Sequence, residues 1–203
     1  MNDVLWRPST AQIEASRMDA FRRRVNLRYN LQLTDYQALH RWSIEQRAAF
    51  WQTLADYFHV RWHTPPSQVL SEGPQMPEAQ WFANASLNFA EHLLRRRDDR
   101  PAVVSIREDG HRQAFTHAQL AAHVAGLQTA FKAAGIVAGD RVAAMMPNTW
   151  QTLVAMLACT SLGAIWSTSS PEFGVHGIID RFGQIAPKLL IVCACLLYTS
   201  DAA

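Results

Sequence analysis

The sequence predicts an α/β protein, in which a helical N-terminal region precedes the start of a layered α/β domain with parallel strands. Its 203 residues are 49% hydrophobic and 18% charged, which supplies enough apolar material for a folded core. Helix-capping signals recur through the first 80 residues, and from Arg141 onward apolar runs alternate with helical stretches. That alternation is typical of parallel strands joined by crossover helices. We therefore expect a helical region at 1–80 and the layered domain at 81–193.

Three capping-box patterns predict short helices within residues 1–80. They are Ser9 with Gln12, Thr34 with Gln37, and Ser43 with Gln46. The first helix is expected to carry an apolar stripe of Met18, Phe21 and Val25. The third is expected to bury one face, formed by Ile44, Ala48, Trp51, Ala55 and Phe58. Prolines and glycines then predict an irregular connection at about 64–80.

Three further elements are predicted between residues 86 and 135. A helix is expected at about Ser86–Arg97, and a β-hairpin is expected around Asp109-Gly110. This pair is favoured in tight hairpin turns because both central positions need a positive φ. A capping box at Thr116 predicts the start of the next helix, and Gly135 predicts its left-handed end.

The alternating pattern begins after residue 141. Strands are predicted at Val142–Met146, Ala164–Trp166 and Leu189–Val192, with helices after Thr149 and at about Pro171–Ile185. Parallel sheets bind ligands beyond the carboxyl ends of their strands. The sequence therefore directs attention to Met146–Asn148 and to the loop Ser167–Gly174.

Four hydroxyl side chains stand in a row in that loop, at residues 167–170. Pro171 suits the first turn of a helix and Ser170 suits its cap, so exposed backbone N–H groups there could face an anion such as a phosphate. The alternative is that Ser170 only caps the helix, which is the usual reason for a serine at such a position.

Other side-chain patterns favour no site. His59 and His63 have the spacing of two ligands on a helix, but without a third ligand nearby we expect no metal. The basic runs Arg22–Arg24 and Arg95–Arg97 end predicted helices, where the helix dipole favours cations. With a net charge of +2, we expect no nucleic-acid partner.

No apolar stretch is long enough for a membrane span, no export signal is recognised, and the three cysteines form no paired framework. We therefore expect a cytoplasmic protein with no membrane partner.

Several segments resemble a known family. The family landmarks are WFANASLNFAE at 81–91, FTHAQL at 115–120, GDRV at 139–142, and LGAIWS through SPEFG at 162–174. In their order and spacing they are similar to the acetyl-CoA synthetase-like branch of the adenylate-forming superfamily. Within that branch, LWRPS at 5–9, ADYFHV at 55–60 and AIWSTSSPEFG at 164–174 resemble the acetoacetate-activating enzymes more than the acetate or propionate enzymes.

The resemblance implies an ATP-dependent ligase. Acetoacetate and ATP would form an acyl adenylate and pyrophosphate, with Mg²⁺ sharing the phosphate charge, and the thiol of coenzyme A would then displace AMP. In relatives the matched loop lies near the coenzyme A entrance, so Ser169, Ser170 and Pro171 are the expected cofactor-binding residues. The family's glycine-rich phosphate loop, ribose-binding Asp and acylating Lys lie beyond the matched region. We therefore expect an N-terminal fragment, with an incomplete AMP-binding domain, no catalytic residues and no ligase activity, to which ATP, Mg²⁺ and coenzyme A do not bind well.

The last ten residues depart from the family pattern. Residues 194–203 resemble the translation of a sequencing adaptor, so we expect a non-native tail. Tyr198-Thr199-Ser200 mimics the start of the family's phosphate loop, but Asp201 stands where that loop has a glycine. An incomplete sheet would leave an unpaired edge, so we also expect self-association.

Two other functions stay open at this point. One is another short-chain acyl-CoA synthetase, acting on acetate or propionate. The other is a non-enzymatic small α/β binding module. The sequence does not decide the oligomeric state.

Overall fold

The computed structural model describes residues 5–73, 75–107 and 109–193. The chain divides into two compact units between Leu87 and Asn88, beyond the predicted division at residue 80. Each unit is described by itself.

The first unit contains four helices and one antiparallel strand pair. The helices are α1 (Thr10–Glu14), α2 (Arg17–Tyr29), α3 (Tyr36–Glu45) and α4 (Arg47–Tyr57). The strands are β1 (Gln68–Ser71) and β2 (Gln80–Ala83), and a 3-10 turn lies between them at Met76–Glu78. The prediction of an irregular connection at 64–80 was therefore wrong, because β1 and the start of β2 lie within that segment.

The first predicted helix is two helices. The capping box of Ser9 and Gln12 starts α1, as predicted, but α1 ends at Glu14 and the Ser16 hydroxyl accepts from the Asp19 N–H to start α2. The predicted stripe is only partly buried. Phe21 and Val25 lie in the core, whereas Met18 is 52% exposed.

The prediction of one buried face formed by Ile44, Ala48, Trp51, Ala55 and Phe58 was wrong, although one of these residues, Ala55, is buried. Ser43 lies inside α3, and the turn at Gln46 separates α3 from α4. This turn resets the helical phase, so Ile44, Trp51 and Phe58 are 57%, 42% and 48% exposed. The core instead contains Phe21, Val25, Leu39 and Trp42, with Phe50, Leu54 and Tyr57 packed against them. The cap of α3 was also misplaced by one residue, because the Asp35 carboxylate rather than Thr34 accepts from Ala38 N–H.

The second unit begins with a short helix and a hairpin, and continues as an α/β layer. Its helices are α5 (Phe89–Leu93), α6 (His117–Ala133), α7 (Trp150–Ser161) and α8 (Gly174–Gly183). Its strands are β3 (Pro101–Ile106), β4 (Arg112–Thr116), β5 (Arg141–Met145), β6 (Ile165–Ser169) and β7 (Leu189–Val192). The fold class predicted from the sequence is confirmed, although α5 is much shorter than the helix predicted at 86–97.

The predicted hairpin is present, but its turn differs. Strands β3 and β4 pair antiparallel, and Gly110 has a positive φ, of +80°. The Gly110 N–H donates to the Arg107 carbonyl, and the Arg107 N–H donates to the His111 carbonyl. The connection is therefore a longer loop rather than a two-residue turn.

The parallel sheet has the strand order β6-β5-β7. Its central strand is fully buried along Val142, Ala143 and Ala144, and α6 and α7 pack over one face through Val124, Val154 and Leu157. The capping box at Thr116 and a positive φ at Gly135, the two predicted ends of α6, are both confirmed. The chain passes from β5 to β6 on one side and then returns to β7 on the other side of β5. A topological switch point therefore lies between β5 and β7.

Candidate functional site

The three parallel strands end at one edge of the sheet. Met145 is the register partner of both Ser169 on β6 and Val192 on β7. Two hydrogen bonds extend the pairing past the strand ends, from Met146 N–H to the Ser169 carbonyl and from Cys193 N–H to the Met145 carbonyl, both at 3.2 Å. The segments that the sequence singled out, at 146–148 and 167–174, therefore meet at this edge.

The segment Ser169–Gly174, which we call the serine loop, comprises the last residue of β6 and the turn that follows it, and it starts later than the loop predicted at 167–174. Residues 167–169 belong to β6 rather than to a loop, because their backbone pairs with β5. Ser169 is only 7% exposed, and its buried hydroxyl has no hydrogen-bond partner among the described residues. An unpaired buried hydroxyl is costly, so this group is available to a hydrogen-bonding ligand or to another polypeptide segment.

Ser170 and Pro171 start a 3-10 turn rather than α8. Pro171 is the first residue of the turn Pro171–Phe173, and the Ser170 hydroxyl makes no capping hydrogen bond. The expectation that Ser170 caps the following α-helix was therefore wrong, since α8 begins only at Gly174. The first turn of α8 therefore begins at Gly174 and does not directly follow Ser170.

Two features hold the far end of the serine loop. Gly174 has φ +62° and ψ 176°, a conformation essentially restricted to glycine. The guanidinium carbon of Arg181 lies 3.7 Å from the centroid of the Phe173 ring, a cation–π contact between α8 and the turn.

A second feature of the edge is a cleft of about 610 Å³, which we call the switch-point cleft. Its lining residues come from the hairpin β3–β4, the start of α7, and the ends of β5 and β7. They are Ser105, Arg107, His111, Gln113, Met146, Pro147, Thr149, Trp150, Gln151, Val192 and Cys193. No local sequence pattern predicts this cleft, because it depends on strand order and on the packing of the hairpin.

The cleft is rich in hydrogen-bond donors. The described residues of its lining include no Asp or Glu, and the Arg107 guanidinium pairs with the Asp109 carboxylate at 2.6 Å outside it. Thr149 occupies the N-cap position of α7 without a side-chain capping bond, and the first turn of α7 has no acidic residue. The positive end of the helix dipole therefore adds to the field of the cleft.

The remaining candidate groups are structural. His59 follows α4 with φ +52°, so the pair with His63 does not share a helix face. Among the described residues no three His, Cys, Asp or Glu side chains come together as a metal site. Burial raises the pKa of the Cys159 thiol to about 11, which keeps it protonated and unreactive. Cys195 lies outside the described residues.

None of the helices among the described residues combines the length and the apolar composition that a membrane span requires.

Two protein-family models match most of the chain. The family model described as "AMP-binding enzyme" matches residues 89–203. The chain belongs to this family. A second model, "Acetyl-coenzyme A synthetase N-terminus", matches residues 36–93. The resemblance inferred from the sequence motifs is thus confirmed. The match of the AMP-binding enzyme model extends over 194–203, the predicted non-native tail, which lies outside the described residues.

Similar curated proteins are named as acyl-CoA synthetases. The acetoacetyl-coenzyme A synthetase of Rhizobium meliloti is 45% identical over 189 residues, which are 93% of this chain and 29% of that protein. The malonamoyl-CoA synthetase of Penicillium aethiopicum is 40% identical over 203 residues, with 97% and 28% covered. The chain therefore spans less than a third of the length of these relatives.

A solved structure agrees with these sequence matches. The acetoacetyl-CoA synthetase from Streptomyces lividans superposes with a TM-score of 0.86 at 36% identity, covering 94% of this chain and 30% of that one. This AMP-binding enzyme chain thus shares both sequence and fold with one segment of that protein.

Proposed function

We propose that the chain is the N-terminal part of an ATP-dependent acid–thiol ligase that converts acetoacetate, ATP and coenzyme A to acetoacetyl-CoA, AMP and pyrophosphate through an acyl adenylate. The observation that carries this proposal is the match to the Streptomyces lividans acetoacetyl-CoA synthetase over 94% of the chain, at 36% identity and a TM-score of 0.86.

The names of the relatives suggest the class of acid. Acetoacetate and malonamate both carry a second carbonyl two carbons from the carboxylate, and they differ by a methyl in place of an amino group. Relatives named for both acids are 45% and 40% identical to the chain. We therefore favour a short acid with a carbonyl at this position over acetate or propionate, which lack it.

The described residues fit part of the chemistry that the proposal requires. Oxygen-rich phosphates need hydrogen-bond donors, and the buried Ser169 hydroxyl and the donors of the switch-point cleft lie at the sheet edge. Among these residues no three metal-ligating side chains come together. Ser169, Ser170 and Pro171 remain our proposal for contact with coenzyme A.

The 203-residue chain alone is proposed to be inactive. It covers only 29% of the length of its Rhizobium meliloti relative, and ATP activation needs charges placed around all three phosphates. A cytoplasmic location is part of the same proposal, since Cys159 and Cys193 are free thiols, as expected in a reducing compartment.

A chimera tests the proposal. Residues 5–193 would replace the matching segment of the Streptomyces lividans enzyme, and thioester formation would be followed with acetoacetate, malonamate and butyrate. Butyrate is the control acid, because it has the same chain length as acetoacetate without the second carbonyl. We expect the chimera to use acetoacetate in preference to butyrate, and the 203-residue chain to use none of them.

Two results would count against us. A chimera that melts like the parent enzyme yet forms no acyl adenylate would favour the alternative of a non-enzymatic binding module. Pyrophosphate exchange dependent on acetoacetate and catalysed by the 203 residues alone would refute the proposed inactivity. Resequencing the source locus across codons 190–210 tests the predicted tail independently.

A further inference from the structure

The switch-point cleft lies where open α/β sheets bind their ligands. It opens beyond the carboxyl ends of β5 and β7, which is the point at which the strand order reverses. We propose that this cleft binds a phosphorylated small molecule and that Arg107 and His111 contact its phosphate. The choice of ligand rests on the proposed function, because ATP and coenzyme A are the two phosphorylated reactants, and both carry an adenosine phosphate.

The cleft has the size and the rigid floor of a binding site. At about 610 Å³ it falls within the usual range of roughly 300–1,000 Å³ for small-molecule pockets. Its floor includes Trp150, whose ring lies 4.5 Å from Phe115 and 5.0 Å from His123, centroid to centroid. These contacts hold the indole in place before any ligand arrives, so little side-chain entropy is lost on binding.

The hairpin presents its polar residues to the cleft from one face. Ser105 and Gln113 are register partners, and the backbone of Arg107 is hydrogen-bonded to that of His111. Since side chains alternate between the two faces of a strand, these four residues share a face, whereas Arg112 belongs to the other. This alternation explains why Arg112 is absent from the lining.

A phosphate could displace the present partner of Arg107. The side chains of Arg107 and Asp109 are 65% and 52% exposed, and ion pairs as exposed as this contribute little. A phosphate offers the planar guanidinium two charged acceptors at once. The described lining residues include no carboxylate, and the neighbouring Asp109 carboxylate accepts hydrogen bonds from the Arg107 guanidinium and the His111 backbone N–H.

This cleft is separate from the serine loop. The cleft is lined at the ends of β5 and β7, whereas the serine loop follows β6, and no residue of the serine loop is among the described lining residues. A substitution in the hairpin therefore changes the cleft without touching Ser169.

Titration calorimetry on the 203-residue chain tests the inference, at protein concentrations at which light scattering reports a monomer. The probes are ATP, coenzyme A and inorganic pyrophosphate. The variant is Arg107→Gln, and Arg112→Gln is the matched control, with the same charge change on the other face of the hairpin. His111→Gln is a second cleft variant.

In contrast to the expectation from the sequence, the cleft leads us to expect measurable binding of ATP or coenzyme A to the chain. We expect Arg107→Gln to weaken this binding about tenfold, the loss typical of one charged hydrogen bond. We expect His111→Gln to weaken it less and Arg112→Gln to change it by less than about twofold. Tight binding of only one nucleotide identifies the source of the phosphate, and equal binding of pyrophosphate shows that the phosphates alone are recognised.

Equal loss in Arg107→Gln and Arg112→Gln, or no binding of any probe, would overturn the inference. Either result beside an active chimera leaves the proposed function standing. If binding depends on Arg107 but the chimera is inactive, the inference about the cleft stands and the proposed function fails.

Discussion

The conformation of Gly174 provides a sharp test of how the serine loop joins α8. At φ +62° and ψ 176°, an alanine would bring its Cβ into conflict with its own backbone, which costs roughly 1–3 kcal/mol. No other atom lies within 4 Å of the added Cβ, so the cost comes from the backbone rather than from packing. Gly183, at the other end of the same helix, has no positive φ and equally open space. Gly183→Ala should therefore stabilise the chain by about 0.4–1 kcal/mol, by reducing the entropy of the unfolded state.

Urea denaturation of the two variants measures this difference. We expect Gly174→Ala to be less stable than Gly183→Ala by about 1–3 kcal/mol, because the entropy gain in the unfolded state is common to both variants, with equal dependence of the unfolding free energy on urea. Two variants of equal stability would show that residue 174 does not hold this conformation in solution. The serine loop would then enter α8 by a different path.

Four further outcomes are expected. Leu157→Ala should lower the unfolding free energy by about 3 kcal/mol in urea denaturation, because Leu157 is only 1% exposed in the α/β core; a loss below about 1 kcal/mol would contradict that packing. Hydrogen bonds from Lys188, at 2.8 Å, and from the backbone lower the pKa of Asp140 below its ordinary 3.8, so its stabilisation is present above that pH and is lost as pH falls through the lower value. Asp140→Asn should flatten this acid limb of the stability–pH curve, and an unchanged limb would refute the assignment. Leu190→Lys on the free edge of β7, where Leu190 is 47% exposed, should reduce self-association in sedimentation velocity; undiminished association would place the contact elsewhere. Ser169→Ala should leave the isolated chain equally or more stable, since its buried hydroxyl is unpaired, but should weaken thioester formation by the chimera; a destabilised chain would mean that the hydroxyl has a partner.

Local signals predicted the second unit well. The capping box at Thr116 and the glycine at 135 define α6 through interactions within a few residues, so no knowledge of the rest of the fold was needed. The apolar runs after residue 141 are also local signals, and their alternation with helical stretches predicted the parallel strands.

The errors arose where contacts between distant residues, or a small change in helical phase, determine which residues are buried or paired. A single turn at Gln46 rotates the buried face of α4 away from Trp51 and Phe58. In β6, pairing with β5 extends the strand to Ser169, although serine and threonine have the composition of a loop. The switch-point cleft depends on the strand order of the sheet and on where the hairpin packs, and no short sequence pattern predicts either of these features.

The spacing of the sheet relates the serine loop to the switch-point cleft. Neighbouring strands lie about 4.8 Å apart, so the ends of β6 and β7, on either side of β5, are separated by about 10 Å. The buried residues Val142, Ala143 and Ala144 make β5 a rigid spacer between them. A free phosphate is too small to contact both regions, whereas a nucleotide with an extended arm is long enough to reach from one to the other. This edge is therefore suited to a reactant that is held at one end and presents its other end some distance away, as coenzyme A does in the proposed reaction.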